Sequence, residues 1–185
     1  MTTPRLTQLT QQRIAVGLHD GDLAIDATVG NGHDTLFLAR RTAPRGRVLG
    51  FDVQQTALDG AHGRLAAAGL AGQVTLLQCG HQYLGERLPA DWAGAVAAVM
   101  FNLGYLPGSD RSRITRAETT LPALQQALAS LRVGGRLSVL VYRDHAGAAD
   151  EAGAVDGWFA RLEPSWRVER HDSPGPRLYL AKRSS

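Results

Sequence analysis

Apolar and polar positions alternate along this chain in two periods, and the two take turns. Apolar residues at Leu6, Leu9, Ile14 and Leu18 fall at loosely helical spacing, which predicts an opening helix from Leu6 to Leu18. Short apolar runs then predict strands at Asp22–Asp26, Arg47–Asp52 and Val74–Gln78. Between them lie predicted helices at Asp34–Thr42, with Asp34 placed to cap it, and at Ala57–Ala68, closed by Gly69. The unbroken run Val96–Phe101 predicts a strand buried on both faces. A helix over Thr119–Leu131 follows, with Pro122 expected within its first turn. Gly134-Gly135 then turns the chain into a strand at Leu137–Tyr142, and Ala148–Leu162 reads as the last helix. Two final strands, Trp166–His171 and Arg177–Lys182, flank Ser173-Pro-Gly-Pro176, a sequence suited to a hairpin.

Five alternations of strand and helix imply a mostly parallel α/β sheet with helices on both faces, finished by an antiparallel hairpin. With no repeat or long linker, the 185 residues are expected to form one Rossmann-like domain, 1–185, with the helical segment 1–20 packed on it. Ligands of such sheets sit at the carboxyl ends of strands, near the switch in strand order. The acids and polar motifs of this chain cluster at those ends.

Composition narrows the options modestly. No apolar run approaches the roughly 18–20 residues that span a bilayer. The polar Met1–Thr10 lacks the apolar region of a secretory signal, and Cys79 is the sole cysteine. Cytoplasmic location is the default expectation. Net charge is +3, and Lys182 is the only lysine among twenty basic residues. Arginine pairs with phosphate in a bidentate way, although genome composition accounts equally for the bias.

The loop Asp26-Ala-Thr28-Val-Gly30-Asn31-Gly32-His-Asp34 follows the first strand, and Asp52 ends the second. That acid position accepts hydrogen bonds from ribose hydroxyls in nucleotide-binding sheets. Acids at both ends of the loop would repel a pyrophosphate, so a cofactor with a positive centre fits better than a dinucleotide. After the most hydrophobic strand comes Asn102-Leu-Gly-Tyr105-Leu-Pro-Gly108. There Asn102 could hydrogen-bond an amine, and Tyr105 could pack on a base. Arg111, Arg113 and Arg116 form a basic cluster beside it, suited either to phosphate contact or to a solvated surface. Tyr142, His145 and Glu151 follow the fifth strand. His145 reads either as a proton relay or as a surface histidine. Cys79 reads as a small buried hydrophobe. The six histidines show no metal-ligand spacing, so no metal site is expected.

Asp26-Ala-Thr-x-Gly-Asn-Gly-x-Asp-Thr35 together with Met100-Phe-Asn-Leu-Gly-Tyr-Leu-Pro-Gly108 resembles the rRNA-methylase-like family of class I methyltransferases. The resemblance implies a seven-stranded class I methyltransferase fold and S-adenosylmethionine as cofactor. It also implies cofactor roles for Asp26, Thr28, Gly30, Asn31, Gly32, Asp34, Thr35, Asp52 and Asn102, and places His81 near the adenine. Characterised members methylate the aminomethyl group of 5-aminomethyl-2-thiouridine at the tRNA wobble position. Placed beside that cofactor, Asn102, Tyr105 and His145 would by their chemistry serve the reaction, and Arg111, Arg113, Arg116 and Tyr142 the RNA. One departure is Asp144, which precedes His145 where the family pattern has glycine. The expected partner is tRNA, and the small size leaves room for a homodimer. Another RNA, a small metabolite, or a non-catalytic cofactor- or RNA-binding role stand as alternatives.

Overall fold

The computed structural model describes residues 6–104, 115–143 and 148–185. In chain order the elements are α1 (Leu6–Ala15), β1 (Leu23–Asp26), α2 (His33–Thr42), β2 (Arg47–Asp52), α3 (Gln55–Ala67) and β3 (Val74–Gln78). They continue with α4 (Leu84–Arg87), β4 (Val96–Leu103), α5 (Ala117–Ser130), β5 (Leu131–Val141), α6 (Ala148–Ala160), β6 (Trp166–Asp172) and β7 (Arg177–Arg183). One seven-stranded sheet runs in the order β3-β2-β1-β4-β5-β7-β6. Only β7 runs against the rest, pairing antiparallel with both β5 and β6. The mostly parallel sheet with a terminal hairpin is as expected, and strand order reverses between β1 and β4.

The sheet separates two apolar layers, and β4 shows why its sequence is so uniformly hydrophobic. Val99, Phe101 and Leu103 join Leu84 of α4, Leu124 of α5 and Val155 of α6 on one side. Ala98 and Met100 face Ile14 of α1, Leu38 of α2 and Leu65 of α3 on the other. Each fully buried Leu, Ile, Val or Phe contributes about 1.5–3 kcal/mol relative to exposure. Burial on both faces removes the alternation that a half-exposed strand would show.

The opening helix ends at Ala15, short of Leu18, and four further differences from the sequence expectation concern the predicted caps and motif residues. The N-cap of α2 is Gly32, in the left-handed conformation at φ 72°, and Asp34 lies inside the first turn, its carboxylate turned to other partners. β4 extends through Leu103, so Asn102 stands on the strand and not in the loop beyond it. α5 begins at Ala117, where the Arg116 carbonyl accepts the Thr119 and Thr120 amides, which puts Pro122 past the first turn. β5 begins at Leu131, and Gly134-Gly135 lie within it at a register irregularity opposite Val96–Ala98. A bulge and a turn share the same glycine signal, which is why sequence alone split them wrongly.

Candidate cofactor and substrate site

A cavity of about 640 Å³ opens at the carboxyl ends of β1, β2 and β4, beside the reversal in strand order. Its wall includes Thr28, Gly30, Asn31, Asp34, Asp52, His81, Asn102 and Tyr142, all of them sequence-predicted site residues. The loop after β1 is built to meet it. Gly30 takes φ 49°, and its amide donates to Asp52 Oδ2 at 2.8 Å, tying the loop to the end of β2. The Gln54 amide donates to Asp52 Oδ1 at 2.9 Å. Each carboxylate oxygen keeps a second lone pair for a hydroxyl donor.

Asp26, Thr35 and Gly32 stand behind this wall. Asp26 is 1% exposed, accepts the Thr35 hydroxyl at 2.6 Å and the Thr28 amide at 3.1 Å, and so fixes the start of the loop. Gly32 packs on α3 so closely that a Cβ would lie 2.7 Å from that of Ala61. These three residues shape the loop without lining the cavity.

Charge accumulates here. Burial, then the nearby carboxylate of Asp34, push Asp26 up to about 7. Thr35 and the Thr28 amide pull it back, and Asp52 adds to the rise. Burial also raises Asp34, against hydrogen bonds from Gln11 and Asn102 and the proximity of His33. Two carboxyl groups on the cavity wall, Asp34 and Asp52, with Asp26 buried behind them, favour a cationic guest over an anionic one.

His81 is buried on the far side, edge-on to Phe101 with ring centroids 5.7 Å apart. Burial lowers it to about 4 despite a hydrogen bond with the Ala27 backbone, so its imidazole is neutral at pH 7. Thr120 Oγ1 lies 3.5 Å from His81 Nε2 and donates to Glu151 Oε1 at 2.6 Å. Glu151, 1% exposed, also accepts the Thr115 hydroxyl at 2.7 Å, and Thr115 lines the cavity.

Asn102 is held through its backbone, whose amide donates to Thr28 Oγ1 at 2.7 Å, and its side chain shares the cavity wall with Asp34. Tyr142 reaches the cavity wall, its own amide donating to the Leu103 carbonyl at 3.1 Å. Arg116 is exposed at the start of α5 and does not line the cavity. Tyr105, Arg111, Arg113 and His145 lie outside the described residues. Cys79 lines the cavity, half-buried, with its thiol toward the Gly80 carbonyl. Gln11, Gln54 and Thr115 carry no motif and were missed by sequence reasoning. Among the described residues no group of His, Cys, Asp and Glu is arranged to hold a metal.

Residues 48–174 match the family model described as "Putative rRNA methylase". The chain belongs to this family. A "putative rRNA-methylase" from Clostridium thermocellum superposes with a TM-score of 0.93 at 34% identity, covering 99% of this chain and all of that one. A "putative methyltransferase" from Streptococcus mutans, solved in complex with SAH, gives 0.87 at 31% identity over 98% and 99% of the two chains. The chloroplastic tRNA (mnm(5)s(2)U34)-methyltransferase of Arabidopsis thaliana is 36% identical over 80% of this chain. The chain spans 56% of that protein's length. Family membership makes it an enzyme of the S-adenosylmethionine-dependent methyltransferase class, with the fold and cofactor expected from its motifs.

Proposed function

We propose that this chain methylates the exocyclic aminomethyl nitrogen of 5-aminomethyl-2-thiouridine at the wobble position of tRNA. The observation that carries the reading is the convergence of Asp52, Asp34 and Asn102 on one acid-lined cavity beside the β1–β4 reversal. The Arabidopsis relative, by its name, acts on that same nucleotide position, and supports the substrate. S-adenosylmethionine, when bound, supplies an electrophilic methyl on a cationic sulfonium. Its charge suits the carboxyl groups of Asp34 and Asp52, and Asp52, with Gly30 beside it, would accept its ribose hydroxyls. His81 would meet the adenine as a neutral, apolar-edged ring.

An alkyl amine, with an ordinary pKa of about 10.4, arrives protonated and cannot attack. Desolvation and a nearby cation both lower that value. Asn102 then accepts an N–H of the neutral amine and aims its lone pair at the methyl, so that positioning supplies most of the rate. Tyr105 holds the uracil plane, and His145 or water receives the proton. Arg111, Arg113 and Arg116 contact tRNA phosphates, and the reaction takes place in the cytoplasm, with a homodimer widening the grip on tRNA. Among the described residues, no helix is long and apolar enough to cross a membrane.

Incubation with labelled cofactor and tRNA carrying 5-aminomethyl-2-thiouridine tests the reading. Nucleoside mass spectrometry should find one methyl on the side-chain nitrogen. Label on a ribose oxygen or a ring carbon, or on ribosomal RNA alone as the family description would suit, sinks it.

A further inference from the structure

Thr115, just before α5, is tied down through both of its donors. Its amide donates to the Gly104 carbonyl at 3.1 Å, which brings it alongside the end of β4, close to Asn102 in the chain. Asn102, Gly104 and Thr115 all line the cavity. The Thr115 hydroxyl donates to Glu151 Oε2 at 2.7 Å, and Oε1 of the same buried group takes the Thr120 hydroxyl at 2.6 Å. A hydroxyl has one hydrogen and two lone pairs. With that hydrogen given to Glu151, Thr115 Oγ1 has only lone pairs left for a guest. Burying a carboxyl group is costly, and α5 and α6 otherwise join the core through apolar side chains such as Leu124 and Val155. A tie between the two helices alone would not need an acid.

We infer that Thr115 is a specificity-determining residue: its Oγ1 is the second acceptor for the substrate amine, and together with Asn102 it limits transfer to one methyl. The inference rests on the reading of the substrate as an exocyclic alkyl amine that meets Asn102. A neutral primary amine has two N–H bonds and one lone pair. One N–H on Asn102 Oδ1 and the other on Thr115 Oγ1 leave the lone pair only the direction of the sulfonium methyl. In the transfer that lone pair forms the new N–C bond, and the electrons of the broken C–S bond stay on sulfur. The nitrogen then holds both hydrogens and a positive charge until one leaves as a proton to His145 or water. The product, a secondary amine, keeps one N–H. To present its lone pair again it must turn the new methyl toward Asn102 Oδ1 or Thr115 Oγ1 and leave that oxygen without a donor. The unmade hydrogen bond disfavours a second transfer.

The test counts methyls by nucleoside mass spectrometry on tRNA carrying 5-aminomethyl-2-thiouridine, with S-adenosylmethionine in excess. Wild type should stop at one. Thr115→Val keeps the shape and removes the acceptor. It should slow the first transfer about tenfold, the scale of one lost hydrogen bond, and a dimethylated nucleoside should accumulate. Thr115→Ser, which keeps the hydroxyl, should stay at one methyl. A monomethyl product alone from Thr115→Val, or dimethyl product from wild type or Thr115→Ser, would overturn the assignment. If Thr115→Val does not fold, Thr115→Ala is read in the same way. Label on another exocyclic amine removes the proposed substrate, and the methyl count on that amine then decides this inference. Label on a ring nitrogen or a ribose oxygen removes both. If wild type labels no RNA, calorimetry with sinefungin decides, a cofactor analogue that carries an amine where the transferable methyl sits. Its affinity relative to S-adenosylhomocysteine should fall about tenfold in Thr115→Val, and an unchanged ratio rejects the acceptor.

Discussion

The amide of Gly30 donates to Asp52 Oδ2 at 2.8 Å, joining the loop after β1 to the end of β2. Twenty-two residues of chain separate the pair, yet one hydrogen bond sets the floor of the cavity between them. If Asp52 also accepts the cofactor's hydroxyls, as proposed, one carboxylate serves loop and ligand at once and the two properties are inseparable.

Asp52→Ala should therefore weaken cofactor binding by about 1–3 kcal/mol, the range for an unmade polar contact. Calorimetry on the folded variant measures it. Unchanged affinity would return Asp52 to a purely loop-holding role.

Asn102→Ala should lower kcat about 10²-fold and leave cofactor affinity nearly unaltered, because its effect is on alignment. Single-turnover transfer beside equilibrium binding separates the two. An equal loss in both would place Asn102 on the cofactor instead.

Two glycines with positive φ should respond differently to alanine. Gly134, at φ 79° with nothing within 4 Å of an added Cβ, should lose only the backbone strain, about 1 kcal/mol. Gly32→Ala adds a clash with Ala61, and should cost about 1–3 kcal/mol more as α2 and α3 separate. Denaturant unfolding compares the pair, and equal losses would mean that the α2–α3 contact yields without cost.

The pH dependence of stability sets two buried groups against each other. His81, lowered to about 4, resists protonation in the fold, so its share of stability is lost as pH falls from about 6.5 towards 4. Asp26, raised to about 7, favours the protonated fold, so its share is lost as pH rises from about 4 to 7. The two slopes oppose each other over most of that window. Asp26→Asn should leave the His81 slope exposed, and the variant should destabilise more steeply than wild type on acidification. Parallel pH profiles of the unfolding midpoint would contradict the assignment.

Replacing Arg111, Arg113 and Arg116 together should flatten the salt dependence of tRNA binding, since each lost phosphate contact removes about 0.7–0.9 from the log–log slope. Cofactor affinity should hold. A slope identical to wild type would make all three solvated surface charge.

Periodicity by itself determined the alternation of strand and helix, and with it the parallel sheet, because buried faces must repeat at 2 or 3.6 residues whatever the partner. The acids at strand ends were legible for the same reason: Asp26 and Asp52 close apolar runs, and β1 and β2 are short enough that their ends are unambiguous. The Asn102 motif was legible as well, through its resemblance to a known family. Tertiary structure decided the rest. It moved Asn102 from loop to strand, since β4 extends by pairing with β5 through Leu103↔Val141, a contact no local pattern encodes. It set Asp26 and Gly32 behind the cavity and Gln11 beside it. Glu151 became the buried acceptor of two threonines, Thr115 just before α5 and Thr120 in its first turn. Hydrogen-bond partners such as Gln11 and Asp34, or Asn102 and Thr28, lie 23 and 74 residues apart. Such partners are chosen by packing, and a sequence read one window at a time holds no record of them.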